Sequence, residues 1–165
     1  MNKTYISKTK HTGRGIFAKK KIRKNEMIFL VRGKIIKDDY GPEFHIGARW
    51  LTVGNKTWIM PLRSNPWWFI NHSCKPNAGL NGRVRVVAMM PIEKDEEITI
   101  DYSITEDDPY WKFRCNCKTK ECRVIIRSIG FLPERLFKKY SHYIPRYLKW
   151  SYVKKNKTLE HVPEY

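Results

Sequence analysis

Four cysteines are the residues best placed to do chemistry together. Cys115, Cys117 and Cys122 form a C-x-C-x4-C cluster, and Cys74 closes the distant run Asn71-His72-Ser73-Cys74. Four thiolates around one zinc ion leave no open coordination position, so such a site is structural rather than catalytic. Zinc held this way ties residue 74 to the segment after 114 and folds that segment over whatever Asn71 and His72 help to build. Two disulfides, or four unrelated thiols, are the alternative for the same residues. The first residues, Met1-Asn2-Lys3-Thr4-Tyr5-Ile6, lack the apolar run of a signal peptide. That favours a reducing compartment, and metal over disulfides. The expected location is the cytoplasm, on nucleoid or chromatin, with a secreted effector as the alternative.

Three further motifs lie in order along the chain: Gly13-Arg14-Gly15-Ile16-Phe17-Ala18, Phe69-Ile70-Asn71-His72-Ser73-Cys74-Lys75-Pro76-Asn77 and Glu96-Glu97-Ile98-Thr99-Ile100-Asp101-Tyr102. Alone, each has an ordinary reading. Asn71 can cap a turn, His72 can be a hydrogen-bonded core histidine, and Tyr102 can end a strand with its hydroxyl satisfied. Gly13 and Gly15 stand in no βαβ pattern and mark no dinucleotide site. The order of the motifs and their shared apolar flanks make the set informative.

The elements that must position these residues are short strands bounded by Gly, Pro, Asn and Asp. They are Tyr5-Ile6, residues 15–18, 27–31, 34–36, 58–60, 83–88 and 97–100, and they predict a mainly β domain. Residues 83–88 alternate basic and apolar, as a half-buried strand does. After Cys122 the pattern changes. Pro133-Glu134-Arg135-Leu136-Phe137-Lys138-Lys139-Tyr140 predicts a short helix with proline at its first position and basic residues in its last turn. The aromatics Tyr143, Tyr147, Trp150 and Tyr152 are expected to pack over the sheet, the alternative being stacking on a nucleic acid. The last ten or so residues are expected to lack order. A chain of 165 residues with 41% apolar content suits one core, and its apolar runs are too short to span a membrane.

The net charge of +17 is segregated: residues 1–37 carry +11, residues 38–124 carry zero and residues 125–165 carry +6. The basic ends could contact phosphate backbones without sequence preference, or could be a solvated lysine-rich surface. No base-reading element is recognisable.

With the C-x-C-x4-C cluster, the ordered motifs make residues 4 to 124 resemble the SET-domain protein-lysine methyltransferases. The flanking runs Asp107-Asp108-Pro109-Tyr110-Trp111 and Leu132-Pro133-Glu134-Arg135-Leu136 look like the compact single-domain members found in bacteria. The resemblance implies a SET domain over 1–113, built of small β-sheets with a pseudoknot. It further implies a zinc-binding post-SET segment over 114–124 and a basic, partly helical tail over 125–165. In that family S-adenosylmethionine lies opposite a narrow channel for the target lysine. The implied cofactor residues are Gly13, Arg14, Gly15, Asn71, His72 and Tyr102. Tyr102 is the implied catalytic residue, orienting amine and methyl, and Cys74, Cys115, Cys117 and Cys122 are the implied zinc ligands.

Two departures stand at turns: Asp95 and Val124 occupy positions where the family usually has glycine. A third, Ile100, replaces the Phe or Tyr that in many relatives helps set how many methyl groups are added. The expected activity is methylation of lysine in a protein, such as a histone or a histone-like nucleic-acid-associated protein. The alternative is an idle SET-like module that binds nucleic acid or chromatin through its basic ends. The acidic run Glu106-Asp107-Asp108 is expected to line the substrate side and attract a basic peptide.

Overall fold

Every run that the sequence marks as a strand contains one. The computed structural model describes residues 2–10, 13–37 and 49–159. Among these residues the strands are β1 (Thr4–Lys8), β2 (Arg14–Ala18), β3 (Met27–Leu30), β4 (Gly33–Lys37), β5 (Leu51–Gly54), β6 (Thr57–Pro61), β7 (Asn71–His72), β8 (Ala78–Asn81), β9 (Arg85–Ala88), β10 (Glu97–Ile100), β11 (Lys112–Arg114) and β12 (Ile125–Arg127). They are followed by helices α1 (Glu134–Tyr140) and α2 (Arg146–Leu159).

The main sheet runs β1-β2-β10-β8-β9-β3, with β7 also pairing β10. A three-stranded sheet β4-β6-β5 and the hairpin β11-β12 complete the β structure. The sequence did not mark β5, β7, β8, β11 and β12, which have only two to four residues. Tertiary pairing decides such strands, not local preference. Residues 83–88 depart from the expected alternation. Only Arg85–Ala88 is strand, and Val86, Val87 and Ala88 are all buried because β9 lies inside the sheet between β8 and β3.

Strand β10 positions the site. It is antiparallel to β2, with Ile98 opposite Ile16, and parallel to β7, with Thr99 opposite Asn71 and Ile100 opposite His72. The pairing of 16 with 98 interleaves with the hydrogen bond from Thr52 N to Thr105 O, 3.2 Å. The motif residues therefore meet through pairings between segments that are distant in sequence.

Ile16, Ile98, Ile100, Leu80, Val86 and Ala88 are fully buried at the centre. Removing each aliphatic side chain from water contributes roughly 1.5–3 kcal/mol. The tail joins the same core through Ile129, Leu132, Leu136, Tyr140, Ile144, Leu148 and Tyr152. Tyr143, Tyr147 and Tyr152 pack as expected, with the rings of Phe137 and Tyr152 stacked at 3.7 Å, whereas Trp150 departs from the expectation and is exposed. Pro133 sits one position earlier than expected: its φ of −53° and ψ of 137° put it just outside the helix. Its carbonyl accepts from the amides of Leu136 and Phe137, which starts α1. Helix α2 continues to Leu159, further than expected of the tail, and residues 160–165 lie outside the described residues.

Candidate functional site

The four cysteines converge. Their sulfurs all lie within 4.8 Å of one another, and Cys74 and Cys115 are 3.9 Å apart with no disulfide formed. Tetrahedral ligands 2.3 Å from zinc stand about 3.8 Å apart, so the set fits a four-coordinate ion. Backbone amides also point at the sulfurs: Arg123 N lies 3.3 Å from Cys74 Sγ and Cys117 N lies 3.4 Å from Cys115 Sγ. Such bonds stabilise thiolates over thiols. The turns between ligands need left-handed backbone at Lys118 (φ 57°) and Val124 (φ 62°). For Val124, a β-branched residue, that conformation is strained. Asp95 likewise has φ 65°, which explains glycine as the usual residue at both positions. Asp tolerates it better, and the Asp95 carboxylate accepts from Tyr5 OH at 2.8 Å.

The second and third motifs are hydrogen-bonded to each other. Asn77 Nδ2 donates to Glu96 Oε1 (3.0 Å) and Glu97 O (2.8 Å), and Asn77 Oδ1 accepts from Thr99 N (2.9 Å). Asn71 Nδ2 donates to Arg14 O (3.1 Å) and Glu97 Oε1 (2.8 Å). Both partners of Asn71 are pure acceptors, which fixes the orientation of its amide and leaves Oδ1 as the atom for a ligand. Asn71 and His72 line a cavity of about 430 Å³ together with Lys8, Thr9, Lys10 and Glu97. That volume lies in the range of cofactor sites.

The first motif shapes this cavity from behind. Gly13, at φ 79°, turns the chain between β1 and β2, and its carbonyl accepts from Thr9 N at 2.8 Å. At Gly15 an added Cβ would lie 2.5 Å from Glu97 Oε1, 2.7 Å from Thr9 Cγ2 and 2.9 Å from Asn71 Nδ2. A side chain there would force all three of these side-chain ends to shift. Arg14 presents its carbonyl to Asn71, while its guanidinium lies 4.8 Å over the Phe69 ring and lines a second cavity, of about 290 Å³.

His72 has both ring nitrogens engaged. Nδ1 accepts from Tyr102 N at 3.1 Å, so the proton sits on Nε2, 3.4 Å from Cys74 Sγ. Desolvation, and then the Arg123 charge, lower its pKa to about 3, so the ring is neutral. It packs at 5.4 Å from Tyr102 and edge-on at 5.3 Å from Phe113. The Tyr102 hydroxyl donates to Ile70 O at 2.7 Å. Burial raises its pKa above the ordinary value of 10.0, with the Arg49 charge opposing. Tyr102 therefore remains a phenol at neutral pH.

Lys8, Thr9, Lys10 and Glu97 were not singled out from sequence. Glu97 lies inside a quoted motif and Thr9 four residues before Gly13, so spacing carried a weak signal for both. Arg123 and Asp101 were also missed. Arg123 NH2 lies 2.6 Å from fully buried Asp101 Oδ1, and Asp101 caps the turn of Tyr102 by accepting from Ser103 N at 3.0 Å. One residue thus links the metal cluster, through its backbone, to the turn that carries Tyr102. Ile100 is fully buried and lines neither cavity.

Two residues of the acidic run, Glu106 and Asp107, are bonded within the fold. Glu106 Oε1 accepts from Thr52 Oγ1 (3.1 Å) and from the amides of Asp107 and Asp108 (2.8 and 3.1 Å). Asp107 Oδ2 pins α2 through Tyr147 OH (2.6 Å) and Ser151 Oγ (3.3 Å).

Residues 13–103 match the model of the SET domain family. Among curated proteins, the chain is 27% identical over 137 residues to human histone-lysine N-methyltransferase 2D, covering 74% of this chain and 2% of that protein. It is 30% identical over 143 residues to the Saccharomyces cerevisiae histone-lysine N-methyltransferase described as H3 lysine-36 specific, covering 77% of this chain and 19% of that one. The chain thus spans a small part of these relatives. A solved structure of a candidate histone methyltransferase of Plasmodium falciparum superposes with a TM-score of 0.51 at 30% identity, over 62% of this chain and 94% of that one. The Chaetomium thermophilum Polycomb Repressive Complex 2 superposes at 0.55 with 21% identity, over 64% and 15%, which shows the fold.

Proposed function

Because the chain belongs to the SET-domain family, we propose that it transfers a methyl group from S-adenosylmethionine to the side-chain amine of a lysine in a protein substrate. One observation carries this reading: Tyr102, whose hydroxyl donates to Ile70 O, is reached by the charges of Glu97, which lines the first cavity, and of Arg49, which lines the second. Asn71 and His72 line one, and Trp68 and Phe69 line the other. Bound in the first cavity, S-adenosylmethionine supplies an electrophilic methyl on a sulfonium.

The chain's own residues supply position. Gly15 keeps the wall of the cavity thin enough for close approach, and Asn71 Oδ1 offers an acceptor to an ammonium. His72, with both nitrogens spent, serves through ring packing. The Tyr102 hydroxyl orients the incoming amine and does not take its proton, since burial keeps it a phenol. The lysine must arrive neutral. Desolvation and the guanidiniums of the second cavity both lower an ammonium's pKa, so its proton leaves to water before attack. Zinc on Cys74, Cys115, Cys117 and Cys122 would hold β11, and with it Phe113, against His72 and Tyr102.

The names of the relatives support a histone or histone-like protein as the first substrate to try. Exposed Trp150, with Lys154 at 5.1 Å over its ring, supports a nonspecific nucleic-acid contact through the basic tail. The test is transfer of labelled methyl from S-adenosylmethionine to a cell lysate and to a histone-like protein, by wild type and Tyr102→Phe. Label on lysine that depends on Tyr102 supports the reading. No label and no binding of the methyl donor would move the assignment to an idle nucleic-acid-binding module.

A further inference from the structure

The second cavity is lined by three guanidiniums, Arg14, Arg49 and Arg63, and two aromatic residues, Trp68 and Phe69. Among the described residues no carboxylate lines it and no acidic side chain forms an ion pair with any of the three arginines. Their described partners are neutral groups. Arg14 lies over Phe69 at 4.8 Å, Arg63 lies over Trp68 at 5.4 Å, and Arg49 donates to the Trp68 carbonyl. Three like charges sharing about 290 Å³ repel one another unless an anion joins them.

The position of the cavity states which anion. Methyl transfer is an in-line displacement, so with the methyl donor in the Asn71 cavity the amine must come from another direction, and Arg49 ties the second cavity to Tyr102 because its charge reaches that hydroxyl. On the reading proposed above, the arginines therefore flank the entry of the target lysine. The acids nearest in sequence to Tyr102 are engaged elsewhere: Asp101 pairs with Arg123, Glu106 accepts from Thr52 and two backbone amides, and Asp107 accepts from Tyr147. A lysine with basic residues on both sides would be disfavoured, so within a histone-like substrate the sites selected would be those with an acidic neighbour.

We propose that the arginine cavity is a subsite for an Asp or Glu side chain flanking the target lysine, so that the enzyme selects lysines in an acidic sequence context. Guanidinium forks match carboxylates with two hydrogen bonds, and the Trp68 and Phe69 rings hold the forks flat for that contact. A concavity of this size admits a side chain and excludes a nucleic-acid duplex.

The test uses the zinc-loaded full chain and fluorescent peptides of one sequence containing a single lysine, flanked by Asp and Glu in one and by Asn and Gln in its twin. Anisotropy without the methyl donor reads binding. The acidic peptide should bind about tenfold tighter than its twin, as charge-assisted hydrogen bonds imply. The double variant Arg49→Gln, Arg63→Gln should reduce that advantage to about twofold or less, with the affinity for S-adenosylmethionine, read by calorimetry, unchanged. Equal binding of the twins, or a preference that survives the double variant, overturns the proposal. So does single-stranded DNA that competes for the arginines where the acidic peptide does not. Because the readout needs no turnover, a protein that binds the acidic peptide through the arginines but never binds the methyl donor would refute methyl transfer and leave the subsite standing.

Discussion

Replacing Gly15 by alanine adds one methyl group where the structure has no room for it. The new Cβ would stand 2.5 Å from Glu97 Oε1 and 2.9 Å from Asn71 Nδ2, whereas ordinary contact begins near 3.4 Å. Glu97 must then retreat by about 0.9 Å and Asn71 by about 0.5 Å, since neither overlap is tolerable in a close-packed interior. The two groups are bonded to each other at 2.8 Å, and Asn71 also to Arg14 O at 3.1 Å. They cannot both move without stretching these bonds. Overpacking of this kind costs roughly 1–3 kcal/mol of stability. In a domain of this size that lowers Tm by about 2–4 °C per kcal/mol. The larger effect falls on ligand binding, because Asn71 Oδ1 is the acceptor assigned to the methyl donor. A displacement approaching 1 Å of a positioning group can cost about 100-fold in turnover. Calorimetric titration with S-adenosylmethionine, beside a melting curve, separates the two effects. We expect affinity to fall at least tenfold in a variant that still melts cooperatively. Wild-type affinity and wild-type Tm together would refute the reasoning.

Arg123→Met leaves the buried Asp101 carboxylate without its cation, at a cost of about 3–5 kcal/mol seen in urea unfolding; a change below 1 kcal/mol would show that the pair bears no such weight. Val124→Gly should raise Tm, because glycine adopts the φ of 62° freely and a β-branched residue does not. A lower Tm would contradict that assignment of strain. A strong chelator should lower Tm and weaken donor binding together, as metal and fold are coupled through Cys74, and a chelator-insensitive melt would argue against zinc. His72 is held neutral with a pKa near 3, against 6.5 in the unfolded chain, so its contribution is complete above pH 6.5 and is lost as pH falls toward 3. Urea midpoints at pH 7.5 and 5.5 should differ in that direction, and a flat profile would show the ring to be solvated.

The sequence was most informative where chemistry constrains residue type. Four cysteines with metal-ligand spacing, glycines at Gly13 and Gly15, and the Asn71-His72 pair all fall where the fold brings them together. Tyr102 joins them because β10 lies between β2 and β7. The partners that orient these groups were harder to read. Asn71 is fixed by a backbone carbonyl and Glu97, His72 by the amide of Tyr102, and Asp101 by Arg123. These contacts join residues that are distant in sequence, through long-range pairings that no local pattern records. Short strands such as β7 and β8 were hidden for the same reason. The acidic run at 106–108 misled because composition shows that charge is present and not which way it points. Glu106 and Asp107 turn inward to cap a loop and pin α2, and the charges that reach Tyr102 are those of Arg49 and Glu97.

The most direct test of the account is mass spectrometry of an acceptor protein after incubation with S-adenosylmethionine and the purified enzyme, wild type or Tyr102→Phe. Both proteins should first be shown to melt cooperatively and to bind the methyl donor. The account predicts a mass increment of one or more methyl groups on lysine side chains with wild type, reduced at least 100-fold with Tyr102→Phe. Equal methylation by the two proteins, or an increment on a residue other than lysine, would contradict it.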